Sequence, residues 1–181
     1  MTALIVGGSK SGKSSLAQQL AVELAGDGKR YYLATMLPRD GEDLARIARH
    51  LEDRAGMGFE TVEQGKNLPG CLSRADRSGT FLLDSVTALL TNEFFPPELD
   101  YVPDYAAGQR VGDDILSLGG QVKHLVVVAD DIFRDAARYD ETTERYRKAL
   151  ADIDRSLAAV SDTVIEVSAG RVITHKGVLP V

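Results

Sequence analysis

The run Gly7-Gly8-Ser9-Lys10-Ser11-Gly12-Lys13-Ser14 constrains this chain more than any other stretch. It fits G-x-x-x-x-G-K-[ST], with Gly7, Gly12, Lys13 and Ser14 at the required spacing. Gly7 and Gly12 let the backbone curl round an anion with no Cβ in the way. The loop amides and the N-terminus of the following helix then point at phosphate oxygens. Lys13 suits the β- and γ-phosphates, and the Ser14 hydroxyl suits Mg²⁺. A glycine-rich turn with an incidental lysine produces the same letters. The context favours the nucleotide: Ala3–Val6 is a short apolar strand, and an amphipathic helix opens at Ser14. The expected ligand is a nucleoside triphosphate with Mg²⁺.

The rest of the chain is sized for one such unit. Its 181 residues suggest a single domain, 1–181, and 44% apolar with 27% charged residues indicate a globular protein. No apolar run reaches the length of about 18 residues that spans a bilayer. The N-terminal stretch lacks a basic region before its apolar residues, so no signal peptide is expected. Cys71 is the single cysteine, which excludes an internal disulfide and suits a cytoplasmic protein. A net charge of −6 argues against a large non-specific nucleic-acid surface.

Alternating patterns predict a parallel α/β sheet. The first helix covers Ser14 to Ala25, with Leu16, Leu20 and Leu24 on one face, and stops at Gly26-Asp27-Gly28. Arg30–Thr35 is a second strand, giving a βαβ unit. A turn is expected at Pro38–Gly41, a helix over Asp43–Arg54 and a short strand at Phe59–Val62. Thr80–Asp84 reads as a buried strand, followed by a helix from Ser85 to Phe95. Residues 98–107, with two tyrosines, read as a loop or lid before a helix over Gly108–Leu118. Leu125–Ala129 is the most strand-like run, Glu141–Val160 a long helix and Thr163–Val167 the last main strand. Val172-Ile173 and Val178-Leu179 suggest a terminal ribbon.

Two sets of residues extend the chemistry. Asp84, Asp130 and Asp131 each follow a buried strand, and ligands of open α/β sheets sit beyond the carboxyl ends of strands. Asp84 is the strongest candidate for holding Mg²⁺; an acid in such a place can also merely cap the next helix. In the helix over Asp43–Arg54, Leu44, Ile47 and Leu51 form an expected buried stripe. Arg46, His50 and Asp53 share a neighbouring face. A neutral imidazole there can attack phosphorus, with a carboxylate to orient it and an arginine to hold phosphate. From spacing alone, a solvated face with ion pairs fits better. His124 and His175 read as structural or exposed.

Several segments together resemble the bifunctional adenosylcobinamide kinase/adenosylcobinamide-phosphate guanylyltransferase family of cobalamin biosynthesis. The phosphate loop is similar to that family's G-G-x-R-S-G-K-S, with Lys10 in place of arginine. Tyr32-Leu33-Ala34-Thr35 resembles its Y-[IL]-A-T, and the stretch from Arg46 to Arg54, led by Asp43, its R-I-x-x-H-x-x-x-R. Thr61-Val62-Glu63 is similar to T-x-E, and Leu82–Thr87 with Thr91-Asn92 to L-[LV]-[DE]-[CS]-[LIV]-T…[ST]-N. The resemblance implies a RecA-like P-loop three-layer sandwich with a mainly parallel sheet, and a homotrimer. It implies phosphorylation of adenosylcobinamide by GTP or ATP, then GMP transfer from GTP through a guanylylated histidine, here His50. By position it implies catalytic roles for His50, Lys13 and Asp84, and metal ligation by Ser14 and Asp84. Nucleotide contacts carried over the same way are the loop from Gly7 to Ser14, Ala34, Thr35, Met36, Arg46, Leu51, Glu52, Asp53, Arg54, Glu63 and Asp84. In the kinase step, Asp84 or Asp131 is positioned to accept the hydroxyl proton. The chain departs from the family at Asp130–Asp135, where N-E-V-G is usual, and at Ala151 and Asp154, where glycine and asparagine are usual. The residues leave two other readings open: a simple small-molecule P-loop kinase without covalent nucleotide, and a nucleotide-binding regulator without catalysis.

Overall fold

The structure is a computed structural model and describes residues 1–38 and 40–179. β1 (Thr2–Gly7) runs through the phosphate loop into α1 (Lys13–Ala25). β2 (Arg30–Ala34), α2 (Gly41–Asp53) and β3 (Phe59–Glu63) follow, then β4 (Thr80–Asp84) and α3 (Val86–Phe94). α4 (Ala107–Gly119), β5 (His124–Asp130), α5 (Glu141–Val160), β6 (Thr163–Ser168) and β7 (Arg171–Lys176) complete the chain. The strands form one sheet in the order β3-β2-β4-β5-β1-β6-β7, and β7 alone among these runs antiparallel. β1 lies between β5 and β6, which puts the phosphate loop at the middle of the C-terminal edge.

Apolar side chains on both faces of the central strands make this arrangement hold. Leu125, Val126, Val127, Val128 and Ala129 are all buried, as an interior parallel strand requires. One face is covered by α1, whose Ala17, Leu20 and Ala21 pack on Ala3, Ile5, Leu82 and Val128. The other is covered by α3, α4 and α5, which pack on Leu4, Phe81, Leu83 and Val127. α4 and α5 approach closely at Gly108: a Cβ there would lie 2.7 Å from that of Ala149.

Two expectations change and one element is new. The expected ribbon is a hairpin instead: Ala169 and Gly170 take left-handed conformations and return Arg171–Lys176 along β6, leaving Val178-Leu179 outside any strand. A short 3₁₀ helix at Leu68–Ser73, not anticipated, buries Leu68 and Cys71. The stripe of Leu44, Ile47 and Leu51 is not buried. No residue of α2 is buried, and Leu44 and Leu51 are 58% and 48% exposed. The apolar periodicity is present, but among the described residues nothing covers Leu44 and Leu51. The turn expected at Pro38–Gly41 includes Arg39, which lies outside the described residues.

Candidate active site

The phosphate loop is shaped by two glycines. A Cβ on Gly7 would lie 2.5 Å from the Val167 carbonyl oxygen, so the loop leaves β1 against β6 only without a side chain. Gly12, at φ +96°, turns the chain into α1 in a conformation that favours glycine. Lys13 begins the helix and is buried. Its ammonium donates to the Gly8 carbonyl at 3.1 Å and pairs with Asp130 at 2.7 Å. The Ser11 hydroxyl is sheltered and has no hydrogen-bond partner among the described residues, which leaves it free for an anion.

A cavity of about 430 Å³ opens in front of this loop. It is lined by Ser9 to Ser14 from the loop, Met36 after β2, Asp84 at the end of β4, and Arg46, His50 and Asp53 from α2. The face of α2 picked out by its spacing is therefore the one turned to the phosphate loop. Glu42 and Arg49 extend that face, and Ser15, Gln18, Ser85 and Asp130 complete the wall. Of these, Glu42, Arg49, Ser15 and Gln18 were not singled out from sequence. Glu42 and Arg49 continue the i, i+3/i+4 spacing of Arg46 and His50, which was the available signal.

Other expected residues stand outside this lining. Gly7 lies beneath the loop, and Gly8 opens on a neighbouring cavity with Arg134 and Val167. Ala34 ends β2, and its carbonyl accepts from the Gln64 amide at 2.9 Å. Thr35 is buried, donating to the Ser85 carbonyl at 2.9 Å and accepting from the Ser85 amide at 2.8 Å. It thus ties β2 to the chain just after Asp84. Leu51 and Glu52 are exposed on other faces of α2, and Glu63 ends β3. Asp131 is held by Arg134 and by the Phe133 amide, and does not line the cavity. It lines two neighbouring cavities instead. No residue of 98–106 lines the cavity either; Tyr105 packs edge-on against Phe94, and Asp104 donates its amide to the Phe94 carbonyl. The segment is irregular apart from one 3₁₀ turn at Pro97–Leu99, and Leu99, Tyr101 and Val102 stand exposed on it.

Arg54 binds α2 to the sheet. It donates to the His50 carbonyl at 2.8 Å and to Thr61 Oγ1 at 3.1 Å, and its guanidinium lies 4.0 Å from the centre of the Tyr32 ring. The Tyr32 hydroxyl donates to Asp84 Oδ2 at 2.9 Å. Burial, helped by the Asp84 charge, raises the Tyr32 phenol above its ordinary pKa and keeps it a donor. A continuous chain of contacts therefore links Asp84, Tyr32, Arg54 and the backbone of His50. At the other end, Asp40 caps α2 by accepting from the Glu42 and Asp43 amides at 2.9 Å each.

Ser14 and Asp84 offer hard oxygen donors on one wall, and no cluster of three or more histidine, cysteine or carboxylate side chains able to hold a metal occurs among the described residues. A serine hydroxyl and a carboxylate suit Mg²⁺, which takes one or two protein oxygens together with phosphates and water.

The model of the cobinamide kinase / cobinamide phosphate guanyltransferase family matches residues 3–175. The chain belongs to this family. A curated relative, the bifunctional adenosylcobalamin biosynthesis protein CobP of Pseudomonas aeruginosa, is 30% identical over 181 residues, 98% of each chain. Among solved structures, the flagellar accessory protein FlaH from Methanocaldococcus jannaschii superposes with a TM-score of 0.52 at 15% identity. A KaiC-like protein from Pyrococcus horikoshii OT3 gives 0.50 at 14%. Each match covers 97% of this chain and 78% of the other. At such identities these two speak for the fold, the RecA-like P-loop α/β sandwich with a mostly parallel sheet. Membership makes the chain a kinase/guanyltransferase-type enzyme of cobalamin biosynthesis. Among the described residues, no helix is long and apolar enough to cross a membrane.

Proposed function

We propose that the protein phosphorylates adenosylcobinamide and then transfers GMP from GTP to the resulting phosphate through a guanylyl-histidine at His50. The observation that carries this reading is that His50 and Lys13 line one cavity. Lys13, the loop amides and the N-terminus of α1 hold the triphosphate. The neutral His50 imidazole attacks the α-phosphorus, forming a P–N bond as the bond to pyrophosphate breaks. Lys13 and Arg46 stabilise charge on the phosphates as pyrophosphate departs. The acceptor's phosphate oxygen then attacks the same phosphorus, and His50 leaves as a neutral imidazole. In the kinase reaction the acceptor hydroxyl attacks the γ-phosphorus of GTP or ATP, and Asp84 takes its proton. Ser14 and Asp84 would hold Mg²⁺, which when bound supplies charge neutralisation at the phosphates.

Incubation with α-labelled GTP tests the covalent scheme. The wild-type chain should carry acid-labile, base-stable label, and His50→Ala none. Equal labelling of His50→Ala sinks the histidine route, and absence of label from the wild-type chain leaves the simple kinase.

A further inference from the structure

Asp130 is the one acid among Asp84, Asp130 and Asp131 that touches the phosphate-binding lysine. β5 pairs with β1 in register, so that Gly7 lies opposite Asp130, while Asp84 lies opposite Val128. Asp130 is thus two residues, about 7 Å, further along the strand direction. Its backbone is held on both sides: its amide donates to Thr87 Oγ1 at 3.1 Å, and the next amide donates to the Gly7 carbonyl at 2.9 Å. Its carboxylate faces Lys13 at 2.7 Å, with the lysine side chain 9% and the aspartate 31% exposed. Asp84 instead accepts from Tyr32, and Asp131 is bound by Arg134. The negative field of Asp130 reaches further into the protein. Burial first, then Asp131 and last Asp130, push the Asp154 carboxyl up to about 7.

This pairing sets a condition on ligand binding. A triphosphate that engages Lys13 competes with Asp130 for the same ammonium, and the backbone of Asp130 is held in place by Thr87 and Gly7. The carboxylate stays beside the phosphates, where like charges repel. A divalent cation between them cancels that repulsion.

We propose that Asp130 is the resident counter-ion of Lys13 and makes nucleotide binding conditional on a divalent cation. This deepens the reading above and rests on it for the identity of the ligand. An amide at this position would leave Lys13 without a competing anion.

The test measures binding of a fluorescent GTP analogue to the full chain, in Mg²⁺ and in EDTA, for wild type, Asp130→Asn, Asp130→Ser and Asp131→Asn. Both Asp130 variants should bind about tenfold tighter than wild type in EDTA. In Mg²⁺ the gain should be much smaller, because the cation already offsets the carboxylate, so the ratio of the two affinities shrinks severalfold. Asp131→Asn should keep the wild-type ratio. A merely structural ion pair gives the opposite sign, because its loss would loosen the loop and weaken binding in EDTA. The proposal is overturned if the Asp130 variants bind more weakly in EDTA, if their ratio equals that of wild type, or if Asp131→Asn changes the ratio equally. Failure of the wild-type chain to bind the analogue even with Mg²⁺ overturns the nucleotide reading along with it.

Discussion

The phosphate loop and α2 face each other across one cavity, but they are held in opposite ways. The loop sits between β1 and α1, with Leu4, Ile5, Ala17 and Leu20 buried beneath it. α2 has no buried residue; Asp40 caps its first turn, and Arg54 at its other end ties it to Thr61 and Tyr32 of the sheet. A group that binds triphosphate for both reactions benefits from a rigid mount. The proposed nucleophile, His50, stands instead on a helix whose position depends on a few contacts.

The largest effects should fall on chemistry. Lys13→Ala should lower both phosphoryl and guanylyl transfer by about a thousandfold, because both need the triphosphate held. His50→Ala should abolish guanylyl transfer and leave γ-phosphoryl transfer to adenosylcobinamide close to wild type. Parallel assays with adenosylcobinamide and its phosphate measure the split. If both reactions fall together in His50→Ala, the division of labour between loop and helix is wrong.

Stability should divide along the same line. Leu20→Ala, in the core under the loop, should cost about 3 kcal/mol in urea unfolding. Leu44→Ala, on the exposed stripe of α2, should cost less than about 0.5 kcal/mol in the isolated chain. A large loss from Leu44→Ala in a concentration-dependent transition would mean that another copy covers this stripe.

A smaller kinetic effect should follow from loosening α2. Arg54→Ala should slow guanylylation of His50 by about tenfold or more while phosphoryl transfer stays near wild type. Amide exchange over residues 41–53 should rise in the same variant. Arg54→Lys should recover little, since a lysine cannot both stack flat on Tyr32 and fork to two oxygens. Equal slowing of both reactions would argue that Arg54 acts on the nucleotide and not through α2.

Local chemistry was legible in the sequence. The loop spacing, the buried strands at 80–84 and 125–129, and the Arg46–His50–Asp53 face all follow from short-range rules: steric freedom of glycine, burial of both strand faces and the helical repeat. The same short-range rule misjudged Leu44, Ile47 and Leu51, because amphipathic spacing says which face is apolar and not whether anything lies against it. Strand order is a matter of long-range pairing. Only the pairing of β5 beside β1 puts Asp130 against Lys13 and leaves Asp84 one strand away, tied to Tyr32. Three acids that look alike after three similar strands thus acquire three different partners. By itself the sequence determined that a phosphate loop, acids at strand ends and a histidine face exist in this chain. The tertiary structure decided which of those acids answers the lysine, because an ion pair depends on a few ångströms between residues more than a hundred positions apart.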